Sequence, residues 1–410
     1  MPALAHHWER LDDGRRWRFW LRPGLRFHDG RACRAADAAA SLRRLRDTAG
    51  PHRALMAHLR ETAVDGDRLE LVLGEPDHLL LHRLGHHSAA VLPADDWLRP
   101  DFATRPVGAG AFRLLRNNDY RATLGAFEGY WRERPLLAEI DLWVVPAGAD
   151  LPRVDLRLGQ FAEDDRPQAT DWHRLAQPEQ GCDCVLLNPA RSPFATAAAR
   201  LQVGRWLRAH VAQRALPAQW RVARGWLPGF AHLPAPVAAD AARPPRLPAA
   251  LHIVTYELDQ HRALAQAVAD AARAAGSRPA IEVLPAPVFA RWDWRHDADL
   301  AVTGEVLYDD LAFGQFSALA GEAQFHAWLA PGLRRWLAGR CRQVAAEPSP
   351  ACRSALMEEA FARVTAAGAV LPMRHMTQRL DHAPHLGGVS LARCGWMDFR
   401  RLWIRAPEPA

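Results

Sequence analysis

Trp17, Phe19 and Leu21 alternate with Arg18 and Arg22, the period of a half-buried β-strand, until Pro23-Gly24 interrupts the run. The pattern predicts a strand, a turn and a second strand through Phe27, closed by a turn at His28-Asp29-Gly30. From Ala35 to Asp47 the period changes. Ala36, Ala40, Leu42 and Leu45 recur at near-helical spacing, and Asp37 sits in the first turn, where the helix dipole favours an acid. Arg68 to Leu73 alternates again as a strand, and Asp77 to Leu84 reads as a helix after Pro76. This first stretch therefore predicts a small α+β unit ending near Arg105.

Beyond Pro106, Ala111 to Leu115, Thr123 to Phe127 and Ile140 to Val145 read as short strands of a second sheet. Phe161 to Gln180 is polar and reads as loop, Arg200 to Arg214 as an amphipathic helix, and Pro234 to Pro248 as a Pro/Ala-rich connector. Leu251 to Glu257 is then a strand, His261 to Ala275 a helix stopped by Gly276, and Ile281 to Ala286 another strand. Such a βαβ unit builds a parallel sheet through a right-handed crossover, and Asp299 to Val302 supplies a third strand.

At 410 residues the chain is too long for one core, and 49% hydrophobic with 24% charged residues is globular composition. The net charge of +6 suggests nucleic acid, but all 52 basic residues are arginine and are spread among 46 acids. With no block of like charge, this reads as compositional bias and a solvated surface. The first twenty residues lack the apolar core of a signal peptide, and no window approaches the ~18 apolar residues that span a bilayer. The expectation is a soluble cytoplasmic protein without a membrane partner, with its six cysteines reduced.

His78, His82 and His86 fall at i, i+4 and i+8 and would share a helix face, as metal ligands do. Leu79 stands where a zinc protease needs Glu, however, and Gly85 frays the helix, so no metal is expected. Cys182 and Cys184 are read as inert thiols on opposite faces of a strand. Gly108-Ala109-Gly110 lacks the third glycine of a dinucleotide loop, since Arg113 takes its place. There is no nucleophile elbow and no Walker A sequence. The chain is thus expected to need no cofactor and to be a binder rather than an enzyme, with a metal-dependent hydrolase using the histidines as the weakest alternative.

The run WRFWLRPGLRFHDGR followed by the Asp37 helix resembles the signature of family 5 extracellular solute-binding proteins. Further matching features follow in order: Pro106-Val107-Gly108-Ala109-Gly110, Tyr130-Trp131, Leu187-Asn188-Pro189, and Gly395-Trp396 with Asp398-Phe399. Within that superfamily Leu4 to Glu9, Ile140 to Pro146 and Gly395 to Trp403 look most like the C-terminal half of SgrR-type transcriptional regulators.

The resemblance implies an α/β, two-lobed periplasmic-binding-protein-like (type II) fold with a small extra α+β subdomain. The implied domains are 1-105 for the subdomain carrying the signature, 106-190 for the first lobe, 191-370 for the second and 371-410 for the return to the first. A strand normally upstream of the signature is expected to be missing, because Met1 lies close to Trp17. The implied function is a sensor of a small molecule, a sugar phosphate, in an SgrR-like regulator whose DNA contact is made only by a separate or missing helix-turn-helix. The alternative is the solute-binding component of an ABC peptide transporter. The implied ligand-binding residues are Thr303, Glu305, Tyr308, Asp309, His375 and Trp396. The family's P-x-G-T-G-P-Y turn has Ala109, Ala111 and Phe112 here, so its ligand contacts do not carry over.

Overall fold

The computed structural model describes residues 3–48, 52–145, 153–159, 171–213, 220–229, 231–237, 243–307, 311–320, 326 and 328–405. Its first element is a four-stranded antiparallel sheet in the order β1-β2-β4-β3, made of β1 (Ala5–Leu11), β2 (Arg16–Leu21), β3 (Leu59–Asp65) and β4 (Arg68–Leu73). The odd residues of β2 and Leu69, Leu71 and Leu73 of β4 are buried beneath α1 (Ala35–Asp47), as the alternation requires. Asp37 anchors that helix: its carboxylate accepts the N–H of Arg34 at 2.8 Å and that of Ala94 at 3.0 Å.

Three expectations change in this region. Leu25 to Phe27 forms only an isolated bridge between Arg26 and Ala32, because Gly24 and Gly30, both at positive φ, turn the chain on either side. The helix after Pro76 shrinks to α2 (Leu80–Leu84). Asp77 instead becomes a buried anchor that accepts the Leu79 N–H at 2.8 Å and pairs with Arg83 at 2.6 Å and His58 at 2.9 Å. The residues before Trp17 do supply a strand, β1, but it pairs with β2 in this sheet.

A three-stranded antiparallel sheet follows, with β5 (Phe112–Asn117), β6 (Arg121–Ala126) and β7 (Glu139–Trp143), close to the sequence-predicted spans. The large sheet comes next. β8 (Leu156–Gly159), β9 (His173–Pro178) and β10 (Gly181–Leu187) lead to α3 (Ala197–Gln213), β11 (Trp220–Val222), β12 (Ala250–Tyr256), α4 (Asp259–Ala274), β13 (Arg278–Leu284) and β14 (Leu300–Val306). Helices α5 (Leu311–Leu319), α6 (Pro331–Ala346) and α7 (Pro350–Ala366) precede β15 (Val370–His382). The order in the large sheet is β11-β15-β10-β14-β12-β13, with β8 and β9 forming a second sheet on the far half of β15.

The βαβ reading holds: β12 pairs in parallel with β13 and with β14. The loop reading of 161–180 does not, since His173–Pro178 is a strand. Its polar residues hide the alternation, and its partners lie some two hundred positions later on β15. Residues 161–170 and Pro146 lie outside the described residues, as do Arg214 and 238–242.

Strand β10 is buried on both faces. Val185 and Leu187 pack with Val203, Trp206 and Leu207 of α3 and Leu264 and Val268 of α4. Cys182, Cys184 and Leu186 face a second core containing Phe313, Phe316, Leu337, Val344 and Phe361. This core continues without a break into Leu79 and Leu80 and on to the four-stranded sheet. Arg83 lies 4.6 Å over the Phe316 ring, and the His78 N–H donates to Ala345 O at 2.7 Å. Each fully buried Leu or Phe of this kind contributes about 1.5–3 kcal/mol.

Candidate functional site

Strand β15 changes partners halfway. Val370 to Arg374 pairs with β10 and Arg374 to Met376 with β11, whereas Thr377 to His382 pairs with β9 and, in part, β8. Beside it β9 gives way to β10 at Glu179-Gln180, and the Glu179 N–H donates to Met376 O at 2.8 Å. The backbone therefore crosses between the two sheets twice, side by side. Gly181 is required there, because a Cβ would run into the carbonyl of Glu305 on β14.

A buried polar triad backs the crossing. Asp183 accepts from Arg374 Nε at 2.6 Å and lies 3.0 Å from His261 Nε2 in the first turn of α4. Arg374 also donates to Gln260 O, and its guanidinium lies 3.5 Å over the Trp220 ring. Burial would raise the Asp183 carboxyl, but the hydrogen bond from His261 and the field of Arg374 outweigh it and hold it below the usual carboxylate range. Gly304 makes room for this triad, since a Cβ would lie 2.7 Å from both Asp183 Oδ1 and His261 Nε2.

At the crossing itself the polar groups are less committed. Burial, reinforced by the nearby Asp183 charge, pushes the Glu179 carboxyl up to about 7, against a hydrogen bond from Gln378 Nε2 at 3.2 Å. Among the described residues no donor reaches the buried Gln180 Oε1. Burial lowers His375, whose Nδ1 lies 2.7 Å from Gly181 O. As a neutral ring it donates there, leaving Nε2 as an acceptor. His375 lines a cavity of about 310 Å³ with Pro178, Arg221, Arg224 and Thr377.

Of the sequence-predicted site residues, Thr303, Glu305 and His375 are brought to this region by β14 and β15. Thr303 is fully buried and hydrogen-bonded to the Tyr256 phenol, while Glu305 is the register partner of Cys182. Trp396 joins through backbone: its carbonyl accepts from Ala392, in the loop where Arg393 O takes the Gln180 N–H, but its half-exposed ring lies 5.5 Å from His87. Tyr308 and Asp309 lie outside the described residues.

Sequence reasoning missed Glu179, Asp183, His261, Arg374 and Gln378. A charge inside an apolar run, as in Gly181-Cys182-Asp183-Cys184-Val185 or Pro372-Met373-Arg374, was the available signal.

Two other expectations are overturned by geometry. Cys182 and Cys184 share one face, with their sulfurs 3.3 Å apart, because strand side chains repeat every two residues and not every one. His78, His82 and His86 do not converge: α2 holds only His82, the His78 ring is bound to Arg10 at 2.8 Å, and the His86 ring packs at a tilt against His52 and His87. Among the described residues no group of three or more His, Cys, Asp or Glu is placed to hold a metal ion, and no helix is long and apolar enough to cross a membrane.

The two strongest sequence motifs meet at His28. Gly108 N–H donates to its Nδ1 at 3.2 Å and its Nε2 lies 3.1 Å from Gly110 O, so the ring clamps the His28-Asp29-Gly30 turn onto the Pro106 to Gly110 turn. Burial lowers the pKa of this imidazole, against the hydrogen bond to Gly110 O.

Residues 1–200 match the family described as bacterial extracellular solute-binding proteins, family 5 Middle. Among solved structures, the binding protein AgaA of A. tumefacien R10, in complex with agropinic acid, aligns with a TM-score of 0.79 at 16% identity over 99% of this chain and 90% of its own. DppA of Helicobacter pylori, in complex with a peptide, aligns at 0.80 and 16% identity, covering 99% and 89%. Double crossing and neighbours together define the class: a two-lobed, type II periplasmic-binding-protein-like fold carrying a family 5 signature. Within that class the chain also resembles, along nearly its whole length, the HTH-type transcriptional regulator SgrR. The Yersinia pestis relative is 28% identical over 419 residues, covering 99% of this chain and 70% of the relative.

Proposed function

We propose that this chain is the effector-sensing part of an SgrR-like transcriptional regulator acting in the cytoplasm, and that it binds its effector without transforming it. The observation that carries this reading is the crossing at Glu179-Gln180 and Met376-Thr377. There a buried carboxyl, an unsatisfied amide oxygen and a neutral imidazole gather where two sheets share one strand. The similarity to SgrR, over 99% of this chain and 70% of the relative, supports the regulatory assignment.

In this reading the expected lobes, 106-190 with 371-410 and 191-370, hinge at the crossing, so that β10 and residues 370–376 go with the second lobe, and 1-105 is the subdomain carried with that lobe. The effector is a sugar phosphate. Glu179, Gln180 and Glu305 beside the crossing take its hydroxyls, His375 accepts one more, and Arg221 and Arg224, which line the cavity with His375, take its phosphate by charge-assisted hydrogen bonds. Thr303 is fully buried and acts by holding the Tyr256 phenol, and Tyr308, Asp309 and Trp396 complete the ligand-binding set. Binding closes the lobes about the crossing, and closure is the signal. DNA is met by a separate helix-turn-helix.

Thermal unfolding with hexose phosphates and with short peptides tests this. A ligand at a hundred times its Kd stabilises by about 2.7 kcal/mol. The expected result is stabilisation by a hexose phosphate that Arg221→Ala weakens. Stabilisation by peptides alone would move the protein to the transport-type reading, and stabilisation by a hexose phosphate that survives Arg221→Ala together with His375→Ala would remove the site.

A further inference from the structure

Away from the crossing, a second cavity of about 590 Å³ opens between the loop after the α+β subdomain and the edge strand β5. Arg99, Arg105, Arg113 and Arg116 lie on its wall, with Asp29 and Asp101 as the acids. Both acids are already engaged. Asp29 pairs with Arg31, and Asp101 lies 3.4 Å from Arg99. Among the described residues no carboxylate comes within 4 Å of the guanidinium of Arg105, Arg113 or Arg116. Asp141, which feels the charge of Arg116 from across β6, is held by Nε and Nη2 of Arg121 and by the Thr123 hydroxyl at 2.7 Å.

The strand itself is shaped to gather these charges. Three positions apart on a regular strand, Arg113 and Arg116 would point to opposite faces. The ladder instead pairs Arg113 with Gly125, Leu114 with Leu124 and Arg116 with Thr123, so Leu115 is an extra residue. This β-bulge returns Arg116 to the face that Arg113 occupies. Gly125 permits it, since a Cβ there would lie 2.7 Å from Leu115 Cδ1. A bulge that brings two arginines with no carboxylate partner to one cavity wall, with Arg105 across from them, leaves three planar donor forks around one space.

We propose that this cavity is a second binding site, separate from the crossing, for a small organic anion carrying phosphoryl groups. Arg113 and Arg116 hold one phosphoryl from β5, and Arg105 reaches it from the loop. The proposal does not depend on which effector the crossing takes.

Calorimetric titration of the full chain with pyrophosphate, and in parallel with inorganic phosphate, tests it. Pyrophosphate binds with one-to-one stoichiometry and more tightly than phosphate, as expected for two phosphoryl groups among three forks. Each of Arg113→Ala and Arg116→Ala weakens it about tenfold or more, the worth of a charge-assisted hydrogen bond. All three arginines are exposed, so thermal unfolding of the variants stays that of the parent chain. Arg113→Lys keeps part of the affinity, because it keeps the charge but loses the fork. Pyrophosphate affinity undiminished in the Arg113→Ala/Arg116→Ala double variant would overturn the proposal and point to Arg221 and Arg224 at the crossing. Absence of binding to the parent chain at millimolar pyrophosphate would overturn it outright.

Discussion

Glu179 shows how much one buried carboxyl can do when its partners are only half supplied. Free in an unfolded chain it titrates near 4.5, and in the fold near 7. Between those values the unfolded chain has given up a proton that the folded one still holds, so stability falls as pH rises from about 4.5 to about 7 and stays lower above. Glu179→Gln, a permanent mimic of the protonated acid, is expected to be more stable than the parent by about 1–3 kcal/mol at pH 8, with the difference gone below pH 4.5. Urea unfolding at the two pH values measures this, and equal stability at pH 8 would show that the carboxyl is not penalised by burial. The same residue marks a limit of sequence reading. Glu179 stands in a polar stretch where nothing distinguishes it, and its neighbours Gln378 and Met376 lie about two hundred positions away.

At the scale of elements, patterning was a good guide wherever an element's partners are near in sequence. Helix α1, strand β4, strand β12 and helix α4 lie within a residue or two of their sequence-predicted bounds, and β13 starts three residues earlier than expected, because apolar period and local stop signals specify them. Strand β9 and the partner exchange of β15 were not legible, being fixed by long-range backbone pairing. The seating of α4 on the sheet depends on a similarly distant detail, the bare face of Gly304 under the Asp183–His261 contact. Gly304→Ala would press a methyl between them, and breaking a buried pair in this way is expected to cost about 2–4 kcal/mol. Equilibrium denaturation measures it, and a loss under about 0.5 kcal/mol, the range of surface substitutions, would mean that the triad does not secure the helix.

For the whole molecule, the family-like motifs mattered more than periodicity. His28-Asp29-Gly30 and the Pro106 to Gly110 turn were separate features of the sequence until His28 was seen to bind one to the other. The core that runs unbroken from the four-stranded sheet through α5 to α7 ties the subdomain to one face of the large sheet. Closure on an effector should therefore move the β8-β9 sheet against the rest, with the subdomain following the large sheet. Small-angle scattering is expected to show a smaller radius of gyration once effector is bound. An unchanged profile at saturation would mean that the signal is carried without closure.

Strand β15 has a last consequence, for the order of synthesis. Among the described residues β8 and β9 have no other strand partner, and β10 waits for β15 on one side. At ribosomal rates of roughly 5–20 residues per second, the interval between β9 and β15 leaves their edges open for roughly 10–40 seconds. During that interval the nascent chain displays bare strand edges to its neighbours, so its yield in the cell is set partly by how quickly residues 370–382 arrive.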